Sequence, residues 1–148
     1  MAGYSKTPLA KKLGFKPGMR VYLKNPPSDY ADLVRPLPEG LVIVRRLARD
    51  IDLIHFFTRS RSELESGLEL QIGKIKQDGM IWISWPKKAS GVKTDITEDV
   101  IREVALSMGL VDVKVCAVDE TWSGLKLVIR KENRKREPQE RTAKENRK

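Results

Sequence analysis

The fold is decided by the stretch Gly79-Met80-Ile81-Trp82-Ile83-Ser84-Trp85-Pro86-Lys87-Lys88. Successive residues of a strand point to opposite faces of the sheet, and here both alternating sets are largely apolar. A strand that is apolar on both faces is typical of a parallel sheet that helices cover on each side. Pro86 lacks an amide hydrogen and cannot continue an interior ladder. The stretch therefore predicts a central strand over residues 80–85.

The loop that follows this strand is the main candidate site. It carries three cations and two hydroxyl groups, from Lys87, Lys88, Ser90, Lys93 and Thr94. Ligands of open parallel sheets bind outside the carboxyl ends of the strands, and the N-terminus of a following helix favours an anion. The pattern predicts an anion-binding loop over residues 87–94. Trp85, at the end of the strand, is a candidate for stacking on a planar ligand, although packing in the core is the favoured interpretation.

Apolar runs predict further strands at residues 19–23, 41–44, 51–57, 111–118 and 125–130. Because helical patterns separate most of them and the last return is short, we predict an α/β fold: a Rossmann-like three-layer sandwich with a mainly parallel sheet and a C-terminal antiparallel hairpin. We expect 19–23, 51–57 and 80–85 to be neighbouring inner strands. The short connection between 41–44 and 51–57 leaves a parallel arrangement and an antiparallel hairpin both open.

Capping patterns predict where the two longest helices begin and end. Two overlapping capping boxes, Ser60/Glu63 and Ser62/Glu65, predict the start of one helix. Its apolar stripe from Leu64 to Ile75 predicts that it ends at residues 77–79. Asp95 is predicted to cap the next helix, which Gly109 closes.

The charge of the chain is unevenly distributed. The net charge is +9 over 148 residues, and residues 130–148 hold nine Lys or Arg and four Glu, or +5. That segment has no aliphatic or aromatic residue larger than Ala143, so it cannot bury enough surface to offset its ordering entropy. We predict one domain over residues 1–131 and a disordered basic tail over 132–148. Such a tail could contact nucleic acid weakly.

The composition excludes several kinds of site. No apolar run approaches the ~20 residues of a membrane span, and the N-terminus has no signal-peptide core, so we expect a cytoplasmic protein without membrane contact. Cys116 is the only cysteine and His55 the only histidine, which excludes an ordinary zinc site, and no metal is predicted. We interpret both residues as packed in the core rather than as nucleophile, base or ligand.

The order of elements resembles that of the class I methyltransferases. The correspondence covers about residues 7–130, from a helix and Lys16-Pro17-Gly18 through the strands to the closing hairpin. It implies a Rossmann-like fold and S-adenosylmethionine as cofactor. However, Asn25-Pro26-Pro27 stands where that family has a glycine-rich loop, and Arg45-Arg46 stands where it has an acidic ribose-binding residue. We therefore predict no S-adenosylmethionine binding and expect no cofactor.

A more specific resemblance is to the bacterial proteins grouped as domain of unknown function 3052 (DUF3052). The phrases that carry it are Tyr4-Ser5-Lys6-Thr7-Pro8-Leu9-Ala10-Lys11-Lys12-Leu13-Gly14, Trp85-Pro86-Lys87-Lys88-Ala89-Ser90-Gly91 and Gly109-Leu110-Val111-Asp112-Val113-Lys114-Val115-Cys116-Ala117-Val118-Asp119-Glu120-Thr121-Trp122-Ser123-Gly124-Leu125. This resemblance implies membership of a family without an established activity.

The favoured interpretation is a binding module rather than an enzyme: a methyltransferase-like domain that binds an anionic small molecule at residues 87–94. One alternative is an enzyme that acts on an anionic small molecule through this loop, with Asp119 and Glu120 as acid and base. Adjacent carboxylates in a turn usually splay apart, and turn capping beside a packed Trp122 is the simpler interpretation. A second alternative is a nucleic-acid accessory protein that works through its basic tail. The sequence predicts no oligomeric state.

Overall fold

The computed structural model of the chain describes residues 7–134, in which six strands alternate with four α-helices. The strands are β1 (Arg20–Lys24), β2 (Val42–Val44), β3 (Ile51–Phe57), β4 (Ile75–Pro86), β5 (Leu110–Ala117) and β6 (Trp122–Ile129). The helices are α1 (Leu9–Leu13), α2 (Tyr30–Val34), α3 (Arg61–Ile72) and α4 (Glu98–Ser107). Short 3₁₀ turns lie at Lys88–Ser90 and Lys131–Asn133. The predicted basic tail lies outside the described residues from position 135 onward.

The six strands form one sheet in the order β2-β1-β3-β4-β6-β5. Strands β2, β1, β3 and β4 are parallel, whereas β6 runs antiparallel to both β4 and β5. The prediction that 19–23, 51–57 and 80–85 are neighbouring inner strands is confirmed. The predicted hairpin of 111–118 with 125–130 is also confirmed, with β5 at the sheet edge. The fold is thus the predicted Rossmann-like α/β sandwich.

The structure decides between the two arrangements that the sequence left open for residues 41–44. Strand β2 pairs in parallel with β1, with Val21 opposite Ile43, and it does not pair with β3. The connection from β2 to β3 therefore passes over β1. From β1 the sheet extends to one side with β2 and then to the other side with β3, so the strand order reverses between β1 and β3. In open α/β sheets, the space outside the carboxyl ends of two such strands is where ligands bind.

Helices cover both faces of the sheet and enclose two hydrophobic cores. Helices α3 and α4 cover one face, where Ile81 and Ile83 of β4 are buried. Helices α1 and α2 cover the other face, where the ring of Trp82 is fully buried and its Nε1 donates a hydrogen bond to the Leu13 carbonyl at 2.8 Å. Burial of β4 on both faces is the arrangement that its two apolar sets of residues predict.

The predicted end of the third helix is wrong. Helix α3 begins at the predicted Ser60 cap, whose Oγ accepts from the Glu63 amide, but it ends at Ile72 rather than at residues 77–79. Ile75 begins β4 instead, so Gly79 lies inside that strand. A Cβ on Gly79 would stand 3.0–3.2 Å from the carbonyl oxygens of Lys76, Asp52 and Ile51. A side chain at this position would therefore crowd the backbone, which is why glycine fits here. Ile75 lies outside α3, but the short turn after the helix returns it to the core that Leu64 and Leu68 fill. Its spacing in the sequence therefore matches the apolar stripe of the helix.

The predicted cap of the last helix is also wrong. Helix α4 begins at Glu98, and the Oγ1 of Thr97 accepts the hydrogen bond from the Val100 amide. Asp95 caps a different helix: its Oδ1 accepts from the backbone N–H of Arg61, the first residue of α3, at 2.7 Å. The two ends of this contact are 34 residues apart. Capping patterns are read over three or four residues, so the sequence pattern favoured the nearer helix.

Candidate functional site

The loops at the carboxyl edge of the sheet are the place to search for a ligand, and a side chain links two of them. Asn25 directly follows β1 in the left-handed conformation, with φ of 56°. Its Nδ2 donates to the Phe57 carbonyl and to Glu63 Oε2, each at 3.2 Å. The hydroxyl of Thr58 donates to the other oxygen of Glu63. This network bridges the ends of β1 and β3 at the point where the strand order reverses.

Beside this bridge lies an open cleft of about 450 Å³, which we call the carboxyl-edge cleft; it is lined by Arg59, Ser60, Lys93, Thr94 and Asp95. Two loops form it, one after β3 and one after β4. The Oγ1 of Thr94 donates to the Arg59 carbonyl at 2.7 Å, and the amide of Asp95 donates to the same oxygen at 3.3 Å. With the contact from Asp95 to Arg61, these bonds fasten the second loop to the start of α3.

Two cations of the cleft form no ion pair with any of the described residues. Arg59 and Lys93 are exposed, and neither takes part in any of the ion pairs found within residues 7–134. Arg61 next to the cleft differs, because hydrogen bonds to Glu103 and Glu65 raise the pKa of its guanidinium and occupy it. The single carboxylate of the cleft, Asp95, already accepts a backbone hydrogen bond. The arrangement is therefore suited to a small anion.

The structure brings together two of the predicted loop residues, Lys93 and Thr94. Lys87 and Lys88 do not line the cleft; the amide of Lys87 donates to the Thr121 carbonyl, and Lys88 begins a 3₁₀ turn. The Ser90 hydroxyl holds that turn, because it donates to the Lys87 carbonyl at 2.6 Å and accepts from the Val92 amide.

Trp85 is 92% buried and packs in the core beneath α3 and α4, away from the cleft lining.

The carboxylate pair lies in the β5–β6 turn. Asp119 Oδ1 accepts from the amides of Thr121 and Trp122, each at 2.8 Å. The Trp122 ring packs edge-on against Phe57 at 5.1 Å between centroids. Neither Asp119 nor Glu120 lines the carboxyl-edge cleft. This is the turn-capping arrangement that the simpler interpretation predicts.

Two residues of the cleft were missed by the sequence reasoning. Arg59 and Ser60 directly follow Phe57 and Thr58 at the end of β3. Ser60 was recognised only as a helix cap, and Arg59 not at all. Their position next to the reversal of strand order is the signal that could have found them, but it requires knowing that β2 lies beyond β1.

Three buried side chains below these loops form a series of hydrogen bonds that links a helix to two neighbouring strands. His55 is fully buried; its Nδ1 lies 2.8 Å from the Tyr30 hydroxyl and its Nε2 lies 2.7 Å from the Ser84 hydroxyl. Burial lowers the pKa of His55 to about 3, and burial also raises the pKa of Tyr30. All three side chains are buried, and their hydrogen bonds hold α2, β3 and β4 together.

Two further findings concern the described part of the chain. Within residues 7–134, no three His, Cys, Asp or Glu side chains are grouped so that they could hold a metal ion. None of the helices there is both long and apolar enough to cross a membrane.

Comparison with solved structures defines the class of fold. A protein assigned as a type 11 methyltransferase from Sulfolobus solfataricus superposes with a TM-score of 0.62 at 12% identity, over 86% of this chain and 93% of its own. The DhpI–SAH complex gives 0.59 at 10% identity, over 84% and 83%. Precorrin-6y C5,15-methyltransferase from Geobacter metallireducens gives 0.54 at 11% identity, over 82% and 85%. The chain has the Rossmann-like fold of class I methyltransferases.

The sequence identifies the particular family. Residues 45–131, more than half of the chain, match the family described as "Protein of unknown function (DUF3052)", and the chain belongs to that family. A search of the curated proteins finds no match to the sequence.

Proposed function

We propose that this protein is a binding module for a small anionic ligand, which it holds at the carboxyl-edge cleft between Arg59 and Lys93. One observation carries the proposal: two cations that have no ion-pair partner within residues 7–134 line one cleft, and they come from the loops that follow two neighbouring parallel strands. Arg59 can form a planar, two-bonded contact with a phosphate or carboxylate, and Lys93 supplies a point charge. Because the cleft is open and both cations are exposed, we expect dissociation constants between about mM and tens of μM.

The methyltransferase fold implies S-adenosylmethionine, but the residues at the expected position do not fit it. The loop after β1 offers Pro26 and Pro27, which have no amide hydrogen, and the Asn25 side chain bridges to β3 across the place where the cofactor would approach. Arg45 and not a carboxylate follows β2, where a ribose hydroxyl would be bound. We expect calorimetry to detect no S-adenosylmethionine binding tighter than about 100 μM. Tighter binding, with contacts at residues 25–29, would instead favour a methyltransferase.

The test of the proposed site is an NMR titration of the full chain with inorganic phosphate and with sulfate. We expect amide shifts concentrated at residues 59–62 and 93–95. Replacing both cations, in an Arg59→Gln/Lys93→Gln variant, should weaken binding about 2- to 30-fold, which corresponds to about 0.2–1 kcal/mol for each exposed charge pair.

A Lys87→Gln/Lys88→Gln variant is the matched control, since it removes the same amount of charge from the loop after β4 but outside the cleft. If this control no longer binds phosphate while the Arg59→Gln/Lys93→Gln variant still does, the anion site lies at Lys87 and Lys88 instead of in the cleft. If neither variant changes the affinity, the proposal is wrong.

A further inference from the structure

A second basic surface lies on β5 and β6, the two strands at the antiparallel end of the sheet. Its central feature is that Lys114 of β5 stands directly opposite Lys126 of β6 in the antiparallel register. Leu125 and Leu127 of β6 are buried in the core under α3 and α4, so Lys126 and its cross-strand neighbour point to the other face. Two like charges directly opposite each other destabilise a sheet.

Two more lysines of the N-terminal segment join this pair. The Nζ of Lys12, on α1, donates to the Ala117 carbonyl of β5 at 3.0 Å. Partial burial, followed by the nearby charges of Lys114 and Lys16, lowers the pKa of Lys126. We call the surface formed by Lys12, Lys16, Lys114 and Lys126 the lysine face.

The lysine face has no ion-pair partner in the described part of the chain. None of the ion pairs found within residues 7–134 includes any of its four lysines. The one acidic residue of β5, Asp112, is bound to Arg102 of α4 on the other side of the sheet. Strand β6 leads directly into residues 130–148, with nine Lys or Arg and four Glu. The positive charge of the lysine face is therefore not balanced by ion pairs within the described residues.

We propose that the lysine face binds the phosphate backbone of double-stranded nucleic acid without reading its sequence. Lysines bind phosphates as point charges without a fixed geometry, and neutralisation of successive backbone phosphates by such charges carries no sequence information. Binding of single strands relies on exposed aromatic rings for stacking. No aromatic residue is among the large apolar side chains that are exposed in the described part of the chain.

The experiment is fluorescence anisotropy of the full chain with a mixed-sequence 20-base-pair DNA duplex at several salt concentrations. The perturbation is a Lys114→Gln/Lys126→Gln variant. Each phosphate contact contributes about −0.9 to the slope of log K against log[salt], so we expect the slope to become shallower by about 2. At 0.1 M salt this corresponds to about 8-fold weaker binding per lysine, or about 60-fold for both.

An Arg46→Gln/Arg49→Gln variant is the matched control, since it removes two exposed charges between β2 and β3 at the other side of the sheet. Its slope should equal that of the unaltered chain. A Lys114→Glu variant ensures that loss of binding is not loss of fold, because it creates a cross-strand ion pair with Lys126. We expect its melting temperature to be equal or higher and its duplex binding to be weaker.

Three outcomes would overturn the proposal. Equal loss of binding in the arginine control would show a general effect of net charge. An unchanged slope in the Lys114→Gln/Lys126→Gln variant would assign any binding to the segment after β6. Tighter binding of poly-glutamate than of the duplex at the same salt, lost in the same variant, would make the partner an acidic polypeptide.

Discussion

Mild acid is expected to destabilise this protein through His55. The imidazole has an ordinary pKa of about 6.5 in an unfolded chain, whereas burial lowers its pKa to about 3 in the folded protein. Between these two values the unfolded state binds one more proton than the folded state. The free energy of unfolding therefore falls as pH drops below about 6.5, and the loss is complete near pH 3.

The size of the effect follows from the two pKa values. Lowering the pH from 8 to 5 should reduce the free energy of unfolding by about 2 kcal/mol, because the unfolded chain is then largely protonated and the folded one is not. For a domain of this size that corresponds to a fall of about 4–8 °C in melting temperature. Denaturant unfolding at pH 8, 7, 6 and 5 measures it directly.

The control is a His55→Gln variant, in which the pH-dependent loss between 8 and 5 should shrink to the contribution of carboxylates. Because the chain has a single histidine, its NMR signal gives an independent measurement on the unaltered protein. The imidazole resonances should not shift between pH 8 and 5. A titration midpoint above pH 5, or an equal loss of stability in the His55→Gln variant, would refute the reasoning.

Three further predictions concern packing and turns. Gly67→Ala should lower stability by about 1–3 kcal/mol, because its Cβ would stand 2.5 Å from a core phenylalanine ring. Gly73→Ala has open space around its Cβ and should leave the melting temperature nearly unchanged. Gln71→Met should raise the unfolding free energy by about 1 kcal/mol, since the buried Oε1 has no protein donor within the described residues. Asp119→Ala should cost about 1 kcal/mol through the lost turn bonds, and exposed Glu120→Ala under about 0.5; equal effects would contradict the turn-capping role.

The candidate site was only partly predictable. The sequence predicted a ligand site in the loop after β4, and two residues of that loop, Lys93 and Thr94, line the carboxyl-edge cleft. Arg59 was missed because it belongs to a loop 34 residues earlier, which only the fold brings beside Lys93. Trp85 was predicted at the mouth of the site with core packing as the alternative, and the structure buries it. An aromatic residue at a strand end can stack on a ligand or pack in the core, and the sequence pattern is the same in both cases.

The sequence by itself determined those features of the structure that depend on residues close together along the chain. Alternation over two residues predicts a strand buried on both faces. A hydroxyl three residues ahead of a carboxylate predicts the start of α3 at Ser60 or Ser62, of which the structure uses Ser60. What only the tertiary structure decided depends on distant segments. The parallel pairing of β2, the capping of α3 by Asp95 and the opposition of Lys114 to Lys126 all join residues that local patterns leave independent. The physical reason is that periodicity and capping act within one turn or strand, whereas strand order and register are set when whole apolar faces pack together.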